Sequence, residues 1–539
     1  MNSLGHRLYL SCQEIFYIAN SNLMLAPQTL LLALIFISLF ASAQQKPNIV
    51  VILSDDHAYQ AVGAYNNKLT KTPSIDRLAR EGVTFDKAYV TNSICGPSRA
   101  VILTGKYSHK NGFKDNESSV FDVSQNTFIK ELGKAGYQTA WIGKWHLVNN
   151  PKGFTFWQIL PGQGEYYNPD FLYMDGTKKR TEGYATNIIE DFAEDWLNKR
   201  DAKKPFCLVV GHKAVHRQWF PDTLDMGRFD STIFPLPKNF FDAYSTRPAA
   251  ALQDMSIDKS MMLDYDLKMY DAADNKFRQA AVGRMNPKQQ AKFDSYYRAV
   301  YEDFKKQNLS GRALIEWKYQ RYMREYLSTA ASLDRNTGRL LDYLDKNNLT
   351  QNTLVIYVSD QGFYLGEHGW FDKRWMYEES ARTPMLMRYP GHVQPNTRNS
   401  NIALNLDIGP TLLNAAGVPV PSEMQGESFL PLVTNKKGAG RKAFYYHYYE
   451  KGTHSVSPHF GVSDGRYKLI RFYNKVNEWE FYDLKNDPSE MTNVYNNKAY
   501  AAQIKKSKNQ LSQLIKKYED SEAENILQSS ENKTLPPNR

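Results

Sequence analysis

The chain has three cysteines in 539 residues. Cys12 precedes an apolar leader, so the mature protein keeps only Cys95 and Cys207. Two thiols do not make the disulfide framework of a small secreted fold. Cys207 sits in "PFCLVV", a buried-strand pattern in which cysteine serves as a small hydrophobe. Dense runs of Lys and Arg are missing too. The net charge is +10 and the isoelectric point about 9.0, which favours anionic partners. The basic residues are dispersed, however, and they form no nucleic-acid stripe. Also lacking is an apolar run of the roughly 20 residues that a spanning helix needs. The leader "LLLALIFISLFASAQQ", Leu30 to Gln45, is shorter and closes on Ala41-Ser42-Ala43, small residues that a signal peptidase accepts. Cleavage after Ala43 is expected, with export to a periplasm or beyond the cell and no stable membrane insertion. The polar preface Met1 to Leu23 is unusual for a leader, and Met24 is the alternative start.

What is present is ordinary globular composition, 42% hydrophobic and 23% charged. "PNIVVILSDD" is an unbroken apolar run ending in Asp55 and Asp56. Such runs read as parallel strands buried on both faces. "NTLVIYVSDQG" repeats the pattern and ends in Asp360 and Gln361, "AGYQTAWIGKWH" ends in Lys144 and His146, and "KPFCLVVGHKAVH" ends in His212 and His216. Helical stretches such as "TPSIDRLAREG" and "QNTFIKELGKAG" lie between them, which implies crossover units and a large, mainly parallel sheet sandwiched by helices. In open sheets of this kind a ligand sits beyond the carboxyl ends of the strands. Four runs that all finish in ionisable residues therefore place those residues on one sheet edge.

From Trp219 to about Leu309 the sequence reads as a polar and aromatic insertion of loops and short helices, and Ile315 to Leu344 as a helix packed on the sheet. Composition shifts near "LVTNKKGAGRKAF". Beyond it, "FYYHYYEKG", "FGVSDGRYKLIRFY" and "WEFYDLKNDPSE" read as an antiparallel meander closed by an amphipathic helix. The expected organisation is a signal peptide over 1–43, a catalytic domain over 44–434, a smaller α+β subdomain over 435–528 and a flexible tail over 529–539.

Cys95 stands in "CGPSRAVILTG". Pro97 suits the first position of a helix and Gly105 its end, so Cys95 falls just before a helix N-terminus with Arg99 in the first turn. Free N–H groups there attract anions. By this logic the cysteine is either an activated thiolate or a packing residue. Asp55, Asp56, Asp360 and Gln361 offer oxygen only, a donor set that selects Ca²⁺ or Mg²⁺ over zinc. Lys144 and His146, two apart on an extended segment, share one face. For His212 and His216 the spacing alone does not choose.

The run Cys95-Gly96-Pro97-Ser98-Arg99 with Leu103-Thr104-Gly105 resembles the signature of type I sulfatases, members of the alkaline phosphatase-like superfamily. The likeness extends from "KPNIVVILSDDH" through "GKWHL" and "SDQGFYLGEHGWFDKRWMYEESARTPM" to the small C-terminal sheet. It implies that Cys95 is oxidised to formylglycine by a formylglycine-generating enzyme. It further implies Ca²⁺ bound by Asp55, Asp56, Asp360, Gln361 and the modified Cys95. Many relatives carry Asn or His where this chain has Gln361, a change that affects geometry more than identity. The implied mechanism is attack on sulfur by the hydrated aldehyde while Arg99, Lys144 and Lys373 hold the sulfate oxygens. His216 protonates the departing alcohol, and His146 takes the remaining hydroxyl proton as sulfate is expelled. Arg374 is expected to form a salt bridge or contact the sugar, and His212 to touch substrate or serve structure. His368 receives no role.

The flanking words "SDDHAYQAVG" and "HKAVHRQW" resemble bacterial glycan sulfatases, nearest to N-acetylglucosamine-6-sulfatases. The expected partner is thus a sulfated saccharide, with 6-O-sulfated glucosamine the first choice, and no nucleic acid. Two alternatives stand beside this reading. One is a phosphate or phosphonate monoester hydrolase of the same superfamily. The other is a non-catalytic sulfoglycan-binding protein, should Cys95 stay unmodified.

Overall fold

The structure, a computed structural model, describes residues 46–65, 68–434 and 438–531. The expected signal peptide lies outside the described residues. Ten strands form one sheet: β1 (Asn48–Ser54), β2 (Val83–Tyr89), β3 (Gln138–Lys144), β4 (Phe156–Leu160), β5 (Asp170–Tyr173), β6 (Lys178–Arg180), β7 (Phe206–Gly211), β8 (Thr353–Ser359), β9 (Met385–Arg388) and β10 (Thr397–Leu404). Their order is β10-β2-β9-β8-β1-β7-β3-β4-β5-β6. The four runs read from sequence are the four adjacent central strands β8, β1, β7 and β3, all mutually parallel. Only pairs involving β9, β5 and β6 run antiparallel.

Side-chain alternation explains why these runs are apolar throughout. Val50 and Ile52 of β1 join Leu208, Val210, Val355 and Tyr357 in a core on one face. Ile49, Val51 and Leu53 join Cys207, Val209, Leu354 and Ile356 on the other. Cys207 is fully buried there, as a small hydrophobe should be. The helices named here are α1 (Pro73–Arg80), α2 (Cys95–Thr104), α3 (Phe128–Lys134), α4 (Ala185–Lys199), α5 (Pro287–Gln307), α6 (Gly311–Lys346), α7 (Ile408–Ala415), α8 (Ala501–Tyr518) and α9 (Ser521–Glu531). Helices α4 and α6 cover the first face, and α2, α3 and α7 the second.

Register aligns the strand ends. Leu53 pairs Gly211, Ser54 pairs Ser359, and Gly143 pairs Gly211. The residues that follow each strand therefore emerge side by side. Gly143 and Gly211 make this possible: a Cβ on Gly143 (φ 100°) would lie 2.1 Å from the Gly211 carbonyl oxygen.

Three local expectations differ from the structure. Helix α2 begins at Cys95 itself, two residues before Pro97, because the Ser98 amide already donates to the Ile94 carbonyl at 2.9 Å. Gly105 ends it at φ 61°, as expected. The insertion holds a 21-residue helix, α5, opened by a capping box between Asn286 and Gln289. Phe293 and Tyr297 of α5 are buried and Tyr296, Val300, Tyr301 and Phe304 pack partly buried beside them, an apolar stripe at helical spacing. The chain also forms α9 after Asp520, whose side chain accepts from the Ala523 amide at 3.1 Å, so residues 529–531 of the expected tail are helical.

The meander is present as β11 (Phe444–Tyr448), β12 (His459–Ser463), β13 (Tyr467–Phe472) and β14 (Glu478–Asp483), paired in that order and antiparallel. It shares a third apolar cluster with Trp370, Trp375 and Tyr377. The sheet also grips the backbone of that loop. Tyr446 Oη donates to the Arg374 carbonyl at 2.9 Å, and Lys468 Nζ to the Met376 carbonyl at 2.8 Å. The C-terminal sheet thus braces the segment that carries Lys373. Among the described residues no helix is long and apolar enough to cross a membrane.

Candidate active site

The carboxyl ends of β8, β1, β7 and β3 deliver Asp360 and Gln361, Asp55 and Asp56, His212 to His216, and Lys144 to His146 to one edge of the sheet. Helix α2 brings Cys95 and Arg99 to the same place. A ring nitrogen of His216, a carboxylate oxygen of Asp55 and the Cys95 sulfur lie within 4.8 Å of one another, as do oxygens of Asp55, Asp56 and Asp360. Lys373 Nζ is 3.3 Å from Cys95 Sγ and pairs both oxygens of Asp56 at 2.5 and 2.7 Å. Lys144 Nζ pairs Asp55 Oδ2 and donates to Gln163 Oε1 at 2.5 Å. Arg99 Nε pairs Asp360 Oδ2 at 2.9 Å, and its Nη1 donates to the Lys144 carbonyl at 2.8 Å. Ser98 Oγ donates to the Asp360 carbonyl and accepts from Asn405 Nδ2 at 2.8 Å, so the serine of the motif locks α2 to the end of β8. Asp56 (φ 60°) and His146 (φ 59°) both hold left-handed backbone, a strain of about 1–3 kcal/mol each that the surrounding structure must sustain.

The pattern of the sequence matches the sulfatase family model over residues 47–418, more than half of the chain. The chain belongs to the sulfatase family. A second model, N-sulphoglucosamine sulphohydrolase C-terminal, matches residues 366–517. The sulfatase is 46% identical to an N-acetylglucosamine-6-O-sulfatase of Bacteroides thetaiotaomicron, covering 96% of this chain and 95% of that one. It is 27% identical to the human N-acetylglucosamine-6-sulfatase over 73% of this chain and 65% of that one. Its fold superposes on a solved structure in complex with its substrate D-glucosamine-2-N,6-O-disulfate. The TM-score is 0.86 and the identity 48%, over 88% of this chain and 99% of that one. The large mixed sheet with a separate antiparallel sheet is the alkaline phosphatase-like fold.

Electrostatics in the sulfatase follow from burial of many charges together. Burial and the charge of Asp55 push the Asp360 carboxyl up to about 7, against the pull of Arg99. Burial likewise raises Asp56 to about 6, with Lys373 opposing. Asp55 goes the other way. Burial would raise it, but Lys144, His216, Arg99 and Lys373 together hold it well below the usual carboxylate range. Three crowded carboxylates, two of them reluctant to ionise, fit a site completed by a hard cation. Asp55 Oδ1 and Gln361 Oε1 are buried oxygens without a hydrogen-bond partner, and both suit such an ion. Arg99 Nη2 is a buried donor without a partner, which suits an anion. Burial and Asp55 push the Cys95 thiol up from its ordinary value, while Lys373 and Lys144 pull it down.

The remaining predicted residues sort as follows. His216 donates Nδ1–H to the Arg217 carbonyl at 2.5 Å, leaving Nε2 4.0 Å from Asp56 Oδ2. His146 Nδ1 is buried without a partner. Burial holds both rings well below the ordinary histidine range, with Lys144 acting in the same direction. His212 is fully buried and both its ring nitrogens lack partners; Arg99 is the one charge acting on it, and burial lowers it to about 3. Arg374 pairs Asp372 at 2.5 Å and Glu450 at 3.5 Å. His368 is held between Asp242 and Arg247 away from the cluster.

Four residues near the site were not read from the sequence. Gln163 receives the Lys144 ammonium. Lys213 is buried and donates to the Gln163 carbonyl at 3.2 Å, and burial lowers it to about 8. Its place inside "GHKAVH" is a signal that the strand-end argument could have used. Asp372 and His454 pair at 2.9 Å. Nothing local in the sequence marks His454, which lies in a loop of the C-terminal sheet.

Proposed function

We propose that this sulfatase removes the 6-O-sulfate of glucosamine residues in a sulfated glycan, acting outside the cytoplasm after loss of residues 1–43. The observation that carries the reading is the convergence of Cys95, three buried carboxylates and the ammonium groups of Lys144 and Lys373 at the end of four parallel strands. Its support for 6-O-sulfated glucosamine is the likeness to relatives that act on that sugar. Residues 44–434 form the catalytic domain in this reading. Residues 435–528 form a subdomain that braces the Lys373 loop.

Asp55, Asp56, Asp360 and Gln361 would hold Ca²⁺, which supplies positive charge to the nucleophile and to the sulfate oxygens. Formylglycine at position 95, made by a formylglycine-generating enzyme, would supply the hydroxyl nucleophile. Arg99, through its unpaired Nη2, and Lys144 and Lys373 stabilise negative charge on the sulfate oxygens. With its Nδ1–H fixed on the Arg217 carbonyl, His216 carries a proton on Nε2 only as the imidazolium, a form that Asp55 and a bound sulfate anion favour, and that proton passes to the departing sugar oxygen. His146 receives a proton at its unpartnered Nδ1. Arg374, held by Asp372 and Glu450, orients the sugar. His212 serves to pack behind Arg99.

A panel of mono-sulfated monosaccharides tests this reading. Sulfate release from 6-O-sulfo-N-acetylglucosamine is expected to exceed that from 2-, 3- and 4-O-sulfated sugars by about 100-fold or more, because misplaced sulfate leaves buried polar groups unpaired. A preference for another position would refute the linkage assignment, and release from none would refute the glycan reading.

A further inference from the structure

The insertion from Trp219 to about Leu309 contributes none of the residues assigned above, yet it reaches the loop that carries His216. Asp266 is fully buried, and it takes Arg217 in a bidentate grip: Nε to Oδ1 at 2.6 Å and Nη2 to Oδ2 at 2.9 Å. The same Oδ2 accepts from the Met262 amide at 2.8 Å. Lys268, two residues on and also fully buried, donates to the Gln218 carbonyl at 2.5 Å and the Trp219 carbonyl at 3.0 Å. Glu325 of α6 anchors Lys268 at 3.3 Å. On the opposite side of the loop, Tyr166 Oη donates to the His216 carbonyl at 2.7 Å, and the Asp55 amide donates to the Ala214 carbonyl at 3.0 Å. The guanidinium of Arg217 also lies 4.9 Å from the Phe371 ring, two residues from Lys373.

We propose that Asp266 is a positioning residue: through Arg217 it fixes the backbone that aims His216 at the departing oxygen. The reason is geometric. His216 Nδ1–H is held by the carbonyl of Arg217, so the ring's orientation depends on where that peptide lies. Arg217 is the residue that Asp266 clamps. A planar fork against a carboxylate fixes direction as well as distance. An ion pair this buried is maintained at a desolvation cost, which a purely space-filling contact would avoid. The insertion therefore acts on the reaction through the proton donor without touching substrate.

The proposal rests on His216 being that donor, and the test separates the two claims. Sulfate release is measured per matured site on two substrates: 6-O-sulfo-N-acetylglucosamine, whose alkoxide needs a proton to leave, and 4-nitrophenyl sulfate, whose phenolate does not. His216→Ala is expected to lose activity on the sugar only. Asp266→Asn, and Arg217→Lys as a second variant that keeps the charge, are expected to lose about 10- to 100-fold on the sugar and less than about threefold on the aryl ester. Combined with His216→Ala, neither should reduce the sugar rate further. Equal losses on both substrates, or losses that add to that of His216→Ala, would show that Asp266 merely supports the fold and would overturn the proposal. Equal losses in His216→Ala alone would instead overturn the role of His216 and remove the premise.

Discussion

Cys95→Ala is expected to give a folded protein whose sulfate release falls by about 10⁴-fold or more, the scale seen when a covalent nucleophile is removed from an intact site. The Cys95 side chain is small, 1% exposed, and contacts Lys373 at 3.3 Å. Its truncation leaves a void no larger than a sulfur atom, so the fold should lose about 1 kcal/mol or less. The variant keeps Arg99, Lys144 and Lys373, and it should still bind sulfated sugar. Thermal unfolding, binding and turnover measured on one preparation separate these effects. Turnover within about tenfold of the unmodified sequence would mean that another group attacks sulfur.

Asp55→Asn is expected to act on stability and on metal binding at once. Asp55 is the partner of the buried Lys144 ammonium. Neutralising it leaves that charge with Gln163 and the other site residues, at a cost of about 3–5 kcal/mol for an uncompensated buried ion. The wild-type protein, at a calcium concentration about 100 times the dissociation constant, should gain about 2.7 kcal/mol of stability over the chelated form. Asp55→Asn should gain much less, and its melting temperature should be nearly the same with calcium and with chelator. An unchanged calcium response would remove Asp55 from the ion's ligands. An unchanged melting temperature in chelator would show that Lys144 does not depend on it.

The parts of the fold legible in the sequence were those written locally. The runs before Asp55, Lys144, His212 and Asp360 are apolar at every position because both faces of a central parallel strand are covered. Their ends are polar because they meet at the ligand edge. That single regularity marks the sheet's central strands and the strand-end residues that cluster beside Cys95. Helix α5 carries its own stripe at helical spacing, Phe293, Tyr296, Tyr297, Val300, Tyr301 and Phe304, which a reading of the insertion as loops and short helices passes over. Pairings between distant segments were not legible: His454 reaches Asp372 across the boundary to the C-terminal sheet, and Asp266 reaches Arg217 from inside a polar insertion. Arg374 reads in the sequence as a salt-bridge or sugar-contact residue, and in the structure it pairs Asp372 and Glu450. His212 reads in the sequence as a substrate contact or a structural residue, and in the structure it is fully buried with both ring nitrogens unpartnered.

Mass analysis of the peptide containing Cys95, taken from protein expressed in its natural host, is the most direct test of the central claim. The account predicts that position 95 carries an aldehyde or its hydrate in the active protein, and that the aldehyde fraction tracks the specific rate of sulfate release. A free thiol at position 95 in protein that hydrolyses sulfate esters at full rate would contradict it.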